Sequence, residues 1–334
     1  MIKWSATKLK DATECMFKIY LKYEEKIKSK ENYALASGKH VHSFCEKFND
    51  HRLKRNNYES AESFAKQGAY MWNNLVLPPK NLEEKFEGEK WATYNIMKNC
   101  LTNFYEFYGD REKPLDVERR FVLGIEDYLI EGYIDIIDKP FKHFDLKTGY
   151  HLPTEQELKN DYQFTIYAAA IPFLAQRDQR LREMFQLTKA QEKTLDNNPL
   201  ELMEEVTGEF YHMRSGTFVP IKKTKNDLLE LLNTIESVSH RAEQGDFTHH
   251  RGRHCDWCLY GDKCNEYRNN DQIILPEPIR EKKSKGLLFD IHNNPLKLHS
   301  ELPQIKSIRT PAKGGKKKKP KKLTKKDTPL FNDL

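Results

Sequence analysis

The sequence lacks several features that would assign it to other functional classes. It has no apolar run of about 18 residues, the length that a membrane-spanning helix needs. It has no Gly-x-x-x-x-Gly-Lys-Ser/Thr loop, which excludes a complete helicase. The N-terminal stretch lacks the apolar core of a signal peptide, so we expect a reducing compartment. That compartment is the cytoplasm for a prokaryotic or phage protein, and the nucleus for a protein of a eukaryotic host.

Cysteine is also sparse, with six residues among 334. In a reducing compartment they are thiols or metal ligands rather than disulfides. Three of them, Cys255, Cys258 and Cys264, have C-x2-C-x5-C spacing in "HCDWCLYGDKC". Three thiolates this close can bind one soft metal centre, and a four-cysteine site needs one more ligand. The candidates for that ligand are Cys15, Cys45 and Cys100.

Positive charge is concentrated near the C-terminus. The net charge is +6, but Lys306–Lys326 contains 11 of the 56 basic residues and no acid, which leaves 45 basic against 50 acidic residues elsewhere. We expect residues 1–270 to fold and residues 271–334 to form a mostly disordered tail that attracts nucleic acid. The tail also resembles a nuclear localisation signal. Its last segment is similar to short peptides that dock on replication or recombination proteins through Leu330, Phe331 and Leu334.

Helical and strand patterns alternate in the first 270 residues, which predicts an α/β fold. Helical periodicity dominates up to about residue 108. Three strands follow as an antiparallel meander, in "LDVERRFVLGI", "YLIEGYIDIID" and "HFDLKTG". The segment "EQELKNDYQFTIYAAAIPFLAQ" is helical, "GEFYHMRSGTFVPIK" is a strand pair and "KNDLLELLNTIESVSHRAEQG" is a helix.

Charged residues interrupt the second and third strands of this meander. Asp145 and Lys147 are two residues apart and so share one face of the sheet. Asp135 comes close to Asp145 if the hairpin turn spans Asp138–Lys142. Two carboxylates repel unless a cation neutralises them, and oxygen-rich sites suit Mg²⁺ or Mn²⁺. Such an ion and a lysine can together catalyse phosphodiester hydrolysis, although a structural ion pair explains the same residues equally well.

Two helices carry polar pairs at i, i+4 spacing, which places each pair on one helix face. The first pair is His42 and Glu46, in which His42 could supply a nitrogen ligand to the ion. The second pair is Gln163 and Tyr167. Each pair, taken alone, is also compatible with ordinary packing.

Taken together and in this order, the four segments resemble a PD-(D/E)XK nuclease of the RecB-family exonuclease type. The resemblance implies a restriction-endonuclease-like core, in which helices flank a small mixed sheet. It implies a divalent-metal-dependent exonuclease that acts on ends or single-stranded DNA in recombination, repair or replication. Lys147 would be the catalytic lysine. The implied ligands of the metal ion are His42, Asp135, Asp145 and the backbone carbonyl of Leu146.

Other residues have supporting roles in this interpretation. The resemblance implies that Gln163 and Tyr167 contact DNA or support the active-site lysine. Glu46 and Glu118 are expected at most to brace the site from outside the ligand set.

The cysteines extend the resemblance. Iron–sulfur nucleases of this group, such as the CRISPR-associated exonucleases and AddB-type nuclease domains, have one N-terminal cysteine and a C-x2-C-x5-C cluster after the core. Cys15 with the three downstream cysteines fits that layout, which implies a [4Fe–4S] cluster that staples the N- and C-terminal parts together. Family members often have proline after the first cysteine, where this chain has Met16. The spacing alone leaves a structural Zn²⁺ site and unligated thiols open.

Two other functions are compatible with the same sequence features. One is a structure-specific endonuclease of the same superfamily. The other is a non-catalytic DNA-binding or assembly subunit of a recombination or CRISPR-adaptation complex, although the intact Asp135, Asp145 and Lys147 argue against it. The sequence leaves RNA open as a substrate.

Overall fold

A mixed six-stranded sheet forms the centre of the protein, whose computed structural model describes residues 3–29, 33–51, 60–75 and 89–269. The basic tail predicted for residues 271–334, with its terminal apolar segment, lies outside the described residues. The strands are β1 (Lys3–Trp4), β2 (Asp116–Ile125), β3 (Tyr128–Lys139), β4 (Lys142–Lys147), β5 (Thr207–His212) and β6 (Thr217–Lys222).

The long strand β3 organises the sheet. One of its edges pairs antiparallel with β2, and the other pairs parallel with β1 near its start and antiparallel with β4 near its end. The sheet continues through β5, parallel to β4, to β6, antiparallel to β5. The predicted meander is therefore confirmed. Its second turn is tighter than predicted, because Lys139 pairs with Lys142 and only Pro140 and Phe141 connect them.

Eleven α-helices lie in the described part of the chain. They are α1 (Ala6–Glu14), α2 (Met16–Ile19), α3 (Tyr33–His51), α4 (Ala61–Leu75), α5 (Glu89–Tyr108), α6 (Glu155–Lys159), α7 (Tyr162–Arg177), α8 (Gln179–Phe185), α9 (Lys189–Asn197), α10 (Lys225–Glu243) and α11 (Gly261–Asn269). A π-helical turn continues α2 over Tyr20–Glu24, and 3₁₀ turns cover Pro199–Glu205 and Arg253–Trp257. None of the described helices is long and apolar enough to cross a membrane.

Two predicted helical stretches are each divided. The first breaks at Cys15, whose backbone is extended with φ of −164°, so that this cysteine lies at the junction of α1 and α2. The second divides into α6 and α7 because the Asp161 side chain accepts the Gln163 N–H at 2.6 Å and caps α7. This cap places Gln163 in the first turn of α7.

Helices cover both faces of the sheet and, in the described residues, form two large apolar cores and a small one around Phe164 and Phe210. On one face, side chains of α3, α4 and α5 such as Phe44, Phe64 and Phe104 form one core with Phe144 of β4. On the other face, α1, α2 and α7 to α10 cover the apolar side of β2 and β3. The predicted α/β class, with a small mixed sheet flanked by helices, is confirmed.

The N-terminal segment lies against the C-terminal part of the fold. The buried Trp4 Nε1 donates a hydrogen bond to Ser239 Oγ of α10 at 3.0 Å. The rings of Tyr20 and Phe247 lie 5.5 Å apart. Packing and a buried hydrogen bond therefore join the two parts in addition to any contribution from the cysteines.

Candidate active site

A gap in strand pairing opens along one edge of β3. Residues 131–135 of this edge lie between the pairings with β1 and β4, and no described strand pairs with them there. Side chains take the place of backbone partners. The Tyr167 hydroxyl donates to the carbonyl of Tyr133, and the Asp135 carboxylate accepts the Leu146 N–H at 2.8 Å. The edge thus forms a notch in which functional side chains can meet.

Three potential metal ligands meet beside this notch. His42 of α3, Glu118 of β2 and Asp135 of β3 each place one ligand atom within 4.8 Å of the other two. His42 Nδ1 lies 3.7 Å from Asp135 Oδ2. Glu118 and Asp135 are cross-strand neighbours, because the pairs on either side of them are in register. Carboxylates in such positions repel unless a cation lies between or beside them.

Glu118 is a stronger ligand candidate than the sequence indicated. Its backbone has φ of +44°, a left-handed conformation that costs a non-glycine residue about 1–3 kcal/mol. Burial, followed by the charges of Asp135, Glu46 and Asp145, raises the pKa of Glu118 to about 7. A divalent cation would relieve this accumulated negative charge. Only strand register reveals the proximity of Glu118 to Asp135, so the sequence pattern placed Glu118 outside the ligand set.

The lysine motif forms a second group in the same notch. The Asp145 side chain is fully buried, and Lys147 Nζ lies 3.0 Å from its Oδ1 and 2.8 Å from its Oδ2. Burial lowers the pKa of Lys147, but the charges of Asp145 and Asp135 outweigh it and raise that pKa. The ammonium form of Lys147 is thus favoured by its neighbours and can stabilise negative charge in the notch.

Gln163 connects this ion pair to the sheet. Its Oε1 accepts from Lys147 Nζ at 3.1 Å, and its Nε2 donates to Asp145 Oδ1 at 2.8 Å and to Tyr167 Oη at 2.6 Å. Tyr167 is only 4% exposed and donates in turn to β3. Gln163 and Tyr167 were expected either to contact DNA or to support the active-site lysine. These hydrogen bonds fit the second role.

The residues present fit a hard divalent cation. One imidazole and two carboxylates match the ligand preferences of Mn²⁺ and Mg²⁺. Asp145 Oδ2 is buried and makes no hydrogen bond, so apart from its ionic contact with Lys147 it retains capacity for a cation. Burial raises the pKa of Asp145, and Lys147 opposes this shift. The Leu146 N–H orients Asp135, whereas coordination by the Leu146 carbonyl stays a prediction.

The structure brings Cys15 to the C-terminal cysteine segment. The His250 N–H donates to Cys15 Sγ at 3.4 Å, and Cys255 Sγ lies 3.9 Å from the His250 carbonyl oxygen. Cys258 and Cys264, like Cys15, pack against the core that contains α1 and α10. Within the described residues, no three cysteine sulfur atoms lie within 4.8 Å of one another.

The other two cysteines lie elsewhere. Cys45 and Cys100 are fully buried in the core formed by α3, α4 and α5, on the opposite face of the sheet. Burial raises the pKa of Cys45 well above its usual range and that of Cys100 to about 11. Both side chains therefore pack in a different core from the one that Cys15, Cys258 and Cys264 contact.

Comparison with known families agrees with the geometry. Residues 3–265 match the sequence profile of the PD-(D/E)XK nuclease superfamily, whose members are usually phosphodiester hydrolases that use divalent metal ions. The matched range includes the metal-ligand group, the lysine group and the cysteines. A comparison with curated proteins gives no match. The chain belongs to the PD-(D/E)XK nuclease superfamily.

Proposed function

We propose that the protein is a divalent-metal-dependent deoxyribonuclease that hydrolyses phosphodiester bonds at the β3 notch. One observation carries this proposal. His42, Glu118 and Asp135 place ligand atoms within 4.8 Å of one another, beside the buried ion pair of Asp145 and Lys147. A metal-ion site next to a fixed ammonium group is suited to a reaction in which negative charge develops on a phosphate.

Each residue of the notch has a chemical role in this proposal. His42, Glu118 and Asp135 would hold Mg²⁺ or Mn²⁺, with Asp145 next to them. The bound ion would supply Lewis-acid polarisation of the phosphate and a lowered pKa of the attacking water. Lys147 remains protonated and stabilises charge on the phosphate oxygens. Gln163 fixes the position of the Lys147 ammonium relative to the metal ligands.

We further propose an exonuclease of the RecB-family type that acts on DNA ends or single strands in recombination, repair or replication. The support for this narrower statement is the order of the motifs, which runs from His42 and Glu46 through Asp135 and the Asp145–Lys147 pair to Gln163. A structure-specific endonuclease and a non-catalytic DNA-binding subunit are the alternatives.

A nuclease assay with matched lysine variants tests the function. Purified protein is incubated with end-labelled single- and double-stranded DNA, circular single-stranded DNA and RNA, with Mg²⁺ or Mn²⁺. We expect linear DNA to be degraded by the wild type and by Lys139→Ala, an exposed residue at the end of β3, but not by Lys147→Ala. Cleavage of the circle would instead identify an endonuclease. No cleavage, or equal cleavage by both lysine variants, would refute the enzymatic proposal.

We also propose that Cys15, Cys255, Cys258 and Cys264 bind a [4Fe–4S] cluster that staples the chain. The approach of Cys15 and Cys255 to His250 supports this assignment. No three of the described cysteine sulfurs lie within 4.8 Å of one another, so the support for the cluster is the placement of Cys15 beside the C-terminal cysteine segment.

Anaerobic purification tests the cluster. We expect brown protein with broad visible absorption and about four iron atoms per chain, which Cys258→Ser loses and Cys100→Ala retains. Stoichiometric zinc without iron would refute the assignment.

The basic stretch Lys306–Lys326 has a proposed role in binding DNA phosphates. Exchanging the lysines at 316–319 for glutamine should weaken binding and reduce its dependence on salt, because fewer counterions are released. Unchanged salt dependence would contradict this role. Docking of Leu330, Phe331 and Leu334 on a replication or recombination protein remains a prediction for residues outside those described.

A further inference from the structure

The β2–β3 ribbon extends from the metal-ligand group to an exposed pair of side chains. Arg120 of β2 pairs directly with Tyr133 of β3. Tyr133 is two residues before Asp135, so the Cα atoms of the two residues are about 7 Å apart along the strand. The ring of Tyr133 thus lies near the proposed metal centre without being part of it.

A surface cleft connects this pair to the catalytic notch. Its volume is about 440 Å³, within the range of sites that bind small ligands. The cleft is lined by Arg120 and Tyr133, by Gln163 and Tyr167, and by residues 5–7 at the start of α1. The remaining lining residues are Phe121, Glu131, Gly132 and Ile166. A molecule in the cleft would therefore contact both the Arg120–Tyr133 pair and the side chains that position the lysine.

The two side chains are available to a ligand. Tyr133 is 52% exposed, so its ring is accessible to a ligand. Its backbone is fixed, because its carbonyl accepts a hydrogen bond from the Tyr167 hydroxyl. The Arg120 side chain is 51% exposed, and its ion pair with Glu131 is long, at 3.5 Å. Exposed ion pairs contribute little stability, so the guanidinium can exchange this partner at little cost.

The chemistry of the pair matches one nucleotide. An aromatic ring stacks on the face of a nucleobase, and a guanidinium binds phosphate oxygens in a fixed planar geometry. The distance of about 7 Å between Tyr133 and Asp135 is about twice the 3.4 Å rise per nucleotide of a DNA strand with stacked bases. A base on Tyr133 would thus be one extended or two stacked nucleotides from the phosphate at the metal centre.

We propose that Arg120 and Tyr133 form a nucleotide subsite that favours an unpaired DNA end. Tyr133 stacks on a base and Arg120 binds a phosphate of the same strand. A duplex exposes the face of a base only at its ends, so this subsite selects single-stranded or frayed ends over internal paired DNA. The inference rests on the proposed nuclease function and specifies its substrate.

Steady-state kinetics on end-labelled single strands and blunt duplexes test the stacking contact. Tyr133→Ala should raise KM for the single strand about 5- to 150-fold and change kcat by less than about twofold. Tyr133→Phe keeps the ring and should match the wild type. Tyr70→Ala, which removes an exposed tyrosine of α4, should have no effect.

A fluorescent base gives a readout that does not need cleavage. In the Lys147→Ala background with Ca²⁺, 2-aminopurine is placed at successive positions of a single strand. We expect its fluorescence to be quenched by stacking at one or two adjacent positions, and this quenching to disappear when Tyr133→Ala is added. Arg120→Gln should reduce the slope of log K against log salt by about 0.7, the value for one single-strand phosphate contact, whereas Arg120→Lys should preserve it.

The outcomes separate this subsite from the nuclease function. Lys147-dependent cleavage that Tyr133→Ala leaves unchanged would overturn the subsite and leave the nuclease proposal intact. An equal loss in Tyr133→Phe and Tyr133→Ala would also overturn it, because the hydroxyl and not the ring would be responsible. A wild type that neither cleaves nor binds DNA would overturn both proposals.

Discussion

Replacement of Gln163 by leucine should disconnect the catalytic lysine from its support. Leucine has a similar size but cannot accept from Lys147 or donate to Asp145 and Tyr167. Lys147 would keep its contact with Asp145, but its ammonium would lose the second partner that fixes its direction. We expect kcat to fall about 10- to 100-fold, below the loss for removal of a charge-stabilising donor itself.

The stability cost follows from the contacts that leucine removes. Two of the three hydrogen bonds of the Gln163 side chain involve charged groups, and such bonds contribute about 1.5–3 kcal/mol each. Lys147 is about one-third exposed, so water replaces part of its lost bond and the expected cost is about 2–4 kcal/mol. For a domain of this size, that cost corresponds to a fall in Tm of about 4–15 °C.

Thermal unfolding and single-turnover cleavage, each measured with and without Mn²⁺, provide the assay. Gln156→Leu is a matched control, because Gln156 is exposed and its side chain donates a long hydrogen bond of 3.4 Å to Asn160 Oδ1. Gln163→Glu keeps the length of the side chain but places a second carboxylate beside that of Asp145. The two carboxylates repel each other, so this variant should not restore activity. Wild-type kcat and Tm in Gln163→Leu, or full activity in Gln163→Glu, would refute the reasoning.

Four further predictions concern the metal centre and the joined ends of the fold. Saturating Mn²⁺ at 100 times its Kd should stabilise the wild type by about 2.7 kcal/mol in thermal unfolding, but not Asp135→Asn; equal stabilisation would contradict the ligand assignment. Glu118→Gly should raise the Tm of the metal-free protein by about 2–4 °C, because glycine adopts φ of +44° without strain. The same variant should abolish metal-dependent cleavage. Glu118→Gln keeps the backbone strain, so it should remain less stable than the glycine variant. Trp4→Phe should cost about 1–2 kcal/mol in denaturant unfolding through loss of the buried bond to Ser239, and an unchanged midpoint would show that this bond is unimportant. Cys258→Ser should lower Tm by more than Trp4→Phe, because it opens the proposed staple; a smaller effect would show that packing alone holds the ends.

Local patterns predicted much of the fold. The strands β2 and β3 and the helix α10 have side-chain periods that are visible in the sequence, because each element buries one face against a core. The strand β4 shows no such period, because its residues 143–146 are all buried. The proximity of Asp135, Asp145 and Lys147 could likewise be predicted from the sequence, because residues in one strand or in consecutive hairpin strands have restricted relative positions.

Other features depended on contacts that a local pattern does not contain. The period of a helix does not show where a cap will end it, so the breaks at Cys15 and before Gln163 were not predicted. The helices α8 and α9 were also not predicted, because their positions depend on packing against α7 and the 3₁₀ turn that follows them.

By itself, the sequence determined the types of the strongly periodic elements, the lysine motif and the grouping of three cysteines, because these depend on neighbours in the chain. Only the tertiary structure placed Glu118 with His42 and Asp135, since that grouping requires the register of β2 on β3 and the position of α3. It also decided that Gln163 bridges both members of the Asp145–Lys147 ion pair. Side chains distant in sequence become partners only when backbone pairing and core packing fix their separation.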